Sequence, residues 1–476
     1  MNKTVRRNKS PWWWVPSLYV AEGLPYFAVN TLTVIMYTNL GVSLTDMAFF
    51  TGWLYLPWVI KPFWSPFIDL FKTKRLWILA MQAAMAFALA GVAFFLPGSH
   101  YFIITLVFFW LIAFFSATHD VSADGLYLIA LDSHKQAAFV GVRSTFYRIA
   151  SIAGQGGLVL LAGYLETTLG NIPKAWAYVF GLLSLFFFLF FIFHIFALPK
   201  VKADQPMVGV NKKTIIKDFF KTFGTFFKKP HIIGALAFML LYRFPEALCI
   251  KLVQPFLMAA RETGGLGLTT AEAGLVNGTI GVIGLLIGGI AGGICISRAG
   301  LKKLLYPMAA SLTLPCIFYC LLAMWQPAQF YLVAGAIFIE QLGYGFGFSA
   351  YMMYLLYFSR GESSTSHYAF CTAFMAIGMM IPGMFAGWVH QYFETYEFFA
   401  SGFNQGYVNF FWLVVLSSTL TFLVCGIVKI NPAFGRKNSN DNDQETFVSD
   451  NQQEEITENV PKSSDTLIEK MDSSLG

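Results

Sequence analysis

The sequence predicts an all-α integral membrane protein of twelve transmembrane helices in two six-helix halves. Composition carries the class. Hydrophobic residues make up 56% of the 476 and charged residues only 12%, with a mean hydropathy of +0.59. A soluble domain carries about twice that charge. Pattern carries the number: twelve apolar stretches are long enough to cross a bilayer, at about 20 residues per crossing. They fall at 13–37, 46–68, 76–96, 102–131, 138–165, 174–198, 231–259, 271–296, 304–325, 328–358, 367–393 and 408–429. A basic turn after the second span of each half supplies the division.

The ends and joints follow in order. Residues 1–198 form the N-terminal half. Its basic start (Lys3, Arg6, Arg7, Lys9) runs into a span with no small-residue cleavage site, so the first helix serves as its own anchor. Residues 199–230 form a linker. Within it Ile215, Ile216, Phe219, Phe220, Phe223, Phe226 and Phe227 recur with a helical period opposite Lys213, Lys217, Lys221 and Lys228. That pattern predicts an amphipathic helix on the membrane surface. Residues 231–429 form the C-terminal half. From 430 to 476 the chain becomes polar and almost free of aromatics, which predicts a disordered tail.

Charge then orients the spans. One side collects the basic start, Lys72, Lys74, Arg75, Lys135, the eight linker lysines, Arg298, Lys302, Lys303, Arg360, Lys429, Arg436 and Lys437, while the other has Lys174 and Arg261. Positive loops stay cytoplasmic, so both termini are expected inside. Basic residues scattered over short loops make no nucleic-acid patch. The six cysteines lie in apolar segments without CxxC spacing and read as small core residues, with no metal or cofactor implied.

Ionisable residues inside such spans are costly and mark function. The fourth span carries His119, Asp120 and Asp124, the two aspartates one turn apart on one face. Like charges that close in a poor dielectric share protons, so the pair reads as a proton carrier. Glu22 in the first span, Glu246 in the seventh and Glu340 in the tenth complete the acidic set, one for every third span. Candidate solute contacts are Tyr26, Asn30, His119, Arg148, Gln155, Arg243, Lys251, Gln341, Tyr344 and Tyr351. Arg243 and Glu246, three apart, can also simply neutralise each other. Arg148 can answer an aspartate or an anionic solute. Lys61 and Arg143 read as snorkelling to water near helix ends. Asp69, Lys74 and Arg75 in the first basic turn, and Arg298 and Lys302 in the second, are candidate gating residues at helix C-termini.

The paired basic turns resemble the signature loop of the major facilitator superfamily. More narrowly, the chain resembles AmpG-type muropeptide permeases and the related acetyl-coenzyme A transporters. The matching segments are Glu22-Gly-Leu-Pro25, Lys61-Pro-Phe-Trp-Ser-Pro-Phe-Ile-Asp69, Ser116-Ala-Thr-His-Asp-Val-Ser-Ala-Asp124, Tyr147-Arg148, Leu241-Tyr-Arg-Phe-Pro-Glu-Ala247 and Val276-Asn-Gly-Thr-Ile-Gly281. The resemblance carries helix-4 aspartates onto Asp120 and Asp124, a helix-5 arginine onto Arg148 and a helix-7 acid onto Glu246. His119 and Leu126-Tyr127 depart from the bacterial pattern, and the two extra spans of some members are absent.

Together these readings predict a proton-coupled importer of a sugar-containing solute, muropeptide-like or an oligosaccharide. It would work as a monomer by alternating access in a bacterial inner membrane, its partners being solute, protons and the lipid bilayer. A proton antiporter exporting a drug or siderophore-like compound uses the same acids. An intramembrane enzyme built on His119 and Asp120 lacks a nucleophile motif or a metal-ligand set such as HExxH.

Overall fold

The computed structural model describes residues 10–131, 133–201, 204, 212–361, 364–432 and 434–435. The basic residues at 3–9 and the tail from Arg436 lie outside them, as do the side chains of Asp69 and of residues 212–219. Every regular element among the described residues is a helix, with no strand among them. In lipid a backbone group finds no water, so each apolar stretch satisfies its own hydrogen bonds as a helix.

In chain order the elements are α1 (Pro11–Asn39), α2 (Leu44–Trp53), α3 (Leu56–Phe71), α4 (Lys74–Phe95), α5 (Tyr101–Ala130), α6 (Gly141–Leu169) and α7 (Ile172–Ala197). Then come α8 (Lys212–Phe227), α9 (Ile232–Met258), α10 (Thr270–Ala299), α11 (Leu301–Trp325), α12 (Phe330–Ser359), α13 (Ser364–Thr395) and α14 (Gln405–Ile427). Eleven of the described helical runs are long and apolar enough to cross a membrane. The expected second span is broken into α2 and α3 at Leu54-Tyr55, because Pro57 has no N–H to continue the ladder and its ring crowds the preceding turn. The seventh span, α9, is likewise interrupted around Tyr242-Arg243 and Ile250–Leu252, next to Pro245 and Pro255.

Large apolar side chains knit the helices together. Leu32, Leu89, Phe109, Trp176 and Phe180 form a core among α1, α4, α5 and α7. Phe256, Tyr319, Ile337 and Phe411 form another among α9, α11, α12 and α14. The linker helix α8 joins a third: Phe226 is fully buried with Phe238, Tyr351 and Phe370, and its ring stacks on Phe374. Lys229, just after α8, donates to the carbonyls of Phe358 and Arg360 at 2.6 Å each, closing the C-terminal end of α12. The linker helix is therefore docked by its last turns against α12 and α13.

Three helices widen into π-helical turns: α1 at Ala28–Leu32, α6 at Ile152–Leu158 and α10 at Gly274–Gly281. Such turns shift side chains out of register and recur at functional sites. The last two touch backbone to backbone. A Cβ on Gly278 would lie 2.1 Å from the Gln155 carbonyl oxygen, so only glycine fits there. About two turns further along the same crossing, a Cβ on Gly163 would meet the Ala271 nitrogen at 2.5 Å.

Candidate solute cavity and ionisable cluster

A cavity of about 410 Å³ lies between α1, α3 and α6 on one side and α9, α10, α12 and α13 on the other. Its size is that of a small-molecule site, and its wall is mostly apolar with a few polar groups. Nine of the expected residues line it: Tyr26, Asn30, Arg148, Gln155, Arg243, Glu246, Glu340, Gln341 and Tyr344. The three π-helical turns each present one amide there, Asn30, Gln155 and Asn277.

The wall is partly self-satisfied. Arg243 grips Glu246 with two hydrogen bonds of 2.8 and 2.9 Å and reaches the Tyr344 hydroxyl at 2.6 Å. Its guanidinium also lies 4.8 Å from the Phe348 ring centre. Glu340 accepts from the Tyr319 hydroxyl and the Gln341 amide at 2.9 Å each, with no cation beside it among the described residues. Gln155 accepts from Thr31 and donates to Ser151. Arg148 makes no hydrogen bond or ion pair among the described residues, and its guanidinium is left to whatever enters.

Behind this wall, α1, α3, α5 and α6 bring five ionisable side chains together. Lys61 donates to Asp120, and Arg143 to Asp124 at 2.8 Å. Tyr19 adds its hydroxyl to Asp124 at 2.9 Å, with Arg143 stacked 4.6 Å over its ring. The Glu22 carboxyl sits against Asp120, and its Oε2 finds no donor among the described residues. The cluster thus holds three carboxyls and two cations. Lys61 also lines the cavity, so it is the side chain at which the cluster and the cavity meet.

Several expected residues stand elsewhere. Lys61 and Arg143 do not snorkel: each reaches inward to an aspartate. The fourth-span acids pair with those two cations, and Arg148 pairs with neither. His119 is fully buried away from the cavity, its Nε2 3.0 Å from the Gln82 amide, which also contacts His194; His194 in turn meets Ser17 at 2.9 Å. That chain ties α1, α4, α5 and α7 together. Lys251 lies off the cavity, donating to Thr51 at 3.1 Å with its ammonium 5.2 Å from the Tyr55 ring centre. Tyr351 is fully buried and donates to the Met239 carbonyl at 2.7 Å. Its helical spacing with Tyr344 aims it into the packing of α9 against α12.

The basic turns divide in the same way. The backbone N–H groups of Lys74 and Arg75 both donate to the Asp204 carboxylate, at 2.7 and 3.0 Å, which caps α4 with an acid from the linker. An acid at a helix N-terminus meets both its open donors and its dipole. Arg75 also holds the Ile195 carbonyl at 2.6 Å. Arg298 and Lys302 are exposed and form no ion pair among the described residues.

A polar knot unnoticed in the sequence joins α1, α6, α7 and α10 around Glu166. The Glu166 carboxylate of α6 accepts from Asn39 at 2.7 Å, Trp176 at 2.7 Å and Thr270 at 2.6 Å, and Asn39 also donates to Thr270. An acid at the end of a span is ordinary, so nothing in the sequence singled it out.

The Major Facilitator Superfamily model matches residues 17–381. The chain belongs to the major facilitator superfamily. Among curated proteins this major facilitator is 25% identical over 412 residues to the "Anhydromuropeptide permease" of Escherichia coli (strain K12), covering 84% of this chain and 79% of that one. Among solved structures, a mutant of the nucleoside transporter NupG superposes with a TM-score of 0.65 at 12% identity, covering 87% of this chain and 99% of that one. The D-xylose-proton symporter superposes with a TM-score of 0.64, also at 12% identity, covering 87% and 98%. The structural likenesses establish the fold, and the family match with its permease relatives supports a multi-pass membrane transporter.

Proposed function

We propose that this transporter is a proton-coupled importer of a sugar-containing, muropeptide-like solute, working by alternating access between its two six-helix halves in a bacterial inner membrane. The observation that carries the coupling is the surplus carboxyl. Burying an unpaired charge costs several kcal/mol, on the order of a lost ion pair. Glu22 faces another acceptor in Asp120, and two facing carboxyls are satisfied only when a proton lies between them. The natural unit of coupling is thus Glu22 with Asp120, joined to the cavity through Lys61. A solute anion that draws Lys61 off Asp120 leaves that aspartate to a proton as well. Arg148 supplies the fixed positive charge for the same anion, and Tyr26 and Tyr344 supply flat faces for a sugar.

The related permease of Escherichia coli supports a muropeptide as the probe. Proteoliposomes given an inward proton gradient are expected to accumulate anhydromuropeptide. Glu22→Gln is expected to retain counterflow exchange of solute while losing uphill accumulation. Full gradient-driven accumulation by the variant sinks the coupling role. An outward, gradient-dependent flux in the wild type reverses the direction and favours the export reading.

A further inference from the structure

Among the side chains lining the cavity, four amides have hydrogen-bonding capacity left over: Gln341, whose N–H goes to Glu340 and whose Oε1 is uncommitted among the described residues, and Asn30, Gln254 and Asn277. Asn30 donates its Nδ2 to the Tyr26 carbonyl at 3.0 Å, which leaves Oδ1 as its open end, buried and without a donor. Gln254, only 3% exposed, makes no hydrogen bond among the described residues, and its Oε1 is buried and unmet. Asn277 likewise makes none among them. Gln155, by contrast, is held at both ends by Thr31 and Ser151.

Native interiors rarely leave such groups unmet, and each exception calls for a reason. The local reason fails for Gln254. It follows the break in α9 at Ile250–Leu252, beside backbone carbonyls that the break frees, yet it bonds to none among the described residues. Asn277 sits beside Gly278, at the backbone contact of α6 with α10, where the crossing holds its position rigidly. Rigid, uncommitted acceptors and donors on opposite walls of one cavity are what solute recognition requires.

We propose that Gln254 and Asn277, facing Asn30 across the cavity, are specificity-determining residues that recognise the hydroxyl or amide N–H groups of the solute. This rests on the transport reading above. A solute that donates to Asn30 and Gln254 meets both buried oxygens, and one lacking those donors leaves them unmet. Recognition of that kind rejects the donor-free analogue far more strongly than an apolar pocket rejects a missing methylene.

The test compares Gln254→Met and Asn277→Leu with wild type in two measurements. Without solute, the proposal expects an unchanged or raised melting temperature for Gln254→Met, because replacing an unmet polar group by an apolar one of similar shape is neutral or stabilising. A melting temperature lowered by several degrees gives Gln254 a structural role and overturns the proposal, whatever the solute. In proteoliposomes, each variant is expected to raise KM for anhydromuropeptide about tenfold, the scale of one lost hydrogen bond, with Vmax little changed. A wild-type KM in Gln254→Met also overturns it. Should wild type itself ignore anhydromuropeptide, the muropeptide reading falls alone. The same comparison then runs on the hexose, nucleoside or peptide that raises the wild-type melting temperature.

Discussion

Thr270, in the first turn of α10, donates its hydroxyl to the Glu166 carboxylate of α6 at 2.6 Å, the short contact expected when the acceptor is ionised. Asn39 and Trp176 hold the same carboxylate from α1 and α7. In the alternating-access cycle proposed above, parting α10 from α6 at this end would break the Thr270 bond. Thr270→Val is therefore expected to favour the open arrangement about tenfold, and Thr270→Ser to restore wild type. A cysteine at Val34, which lines the cavity toward Asn39, reports the change. In a background where the partly exposed Cys295 is serine, a membrane-impermeant thiol reagent added outside should label it faster. An unchanged labelling rate with a lowered melting temperature makes Thr270 a structural cap instead.

Lys61 and Asp120 are only 27% and 17% exposed, so removing one leaves the other nearly dry. Asp120→Asn is expected to destabilise the protein by about 3 kcal/mol, the low end for breaking a buried pair. Replacing both, as Lys61→Met with Asp120→Leu, should recover most of that stability while abolishing proton-driven uptake. Thermal unfolding beside transport separates the two roles. A double variant as unstable as the single one argues against the pairing.

Lys229 makes stability pH-dependent in a definite direction. Burial pushes its ammonium down from the usual lysine range to about 8. The uncharged amine keeps two N–H groups, enough for the carbonyls of Phe358 and Arg360. Between about pH 8 and the ordinary lysine value the unfolded chain binds more protons than the folded one, so this residue's contribution to stability rises with pH there. Below about 8 its contribution is flat and at its lowest. The wild-type melting temperature, taken relative to Lys229→Met, should climb from pH 8 to 10. A flat difference removes the shift.

Phe226 anchors the linker helix. Truncating a fully buried phenylalanine costs about 3–5 kcal/mol, so Phe226→Ala should lower the melting temperature markedly. It should also slow transport with little change in solute KM. Phe220→Ala, whose ring is 60% exposed, should do neither. Equal effects at the two positions would mean α8 is held by the bilayer and not by its contacts with α12 and α13.

Much of the site was legible before any fold was known, and for one reason. Placing an ionisable or amide side chain in a membrane-length apolar run is costly enough that its presence announces function, which singled out Glu22, Asn30, Asp120, Asp124, Arg148, Arg243, Glu246 and Glu340. The residues missed fail that criterion in particular ways. Lys61 and Arg143 lie near span ends, where lysine and arginine usually reach water. Glu166 lies at a span end too. Gln254 and Asn277 are neutral amides, and the sequence alone does not tell which amides pack against the cavity without a partner.

Hydropathy and charge along the chain determined by themselves that this is a helical membrane protein, how many spans it has, and which of them hold polar groups, because those properties depend on residues close in sequence. Partnership did not follow. Asp120 meets Lys61 from 59 positions away and Glu166 meets Thr270 from 104. Which cation answers which acid depends on how α1, α3, α5, α6 and α10 pack, and on the breaks and π-helical turns that rotate their faces. Only the tertiary structure decided that His119, Lys251 and Tyr351 point away from the cavity while Arg148 stands in it without a partner among the described residues: helical spacing fixes a residue's face, and packing fixes what that face meets.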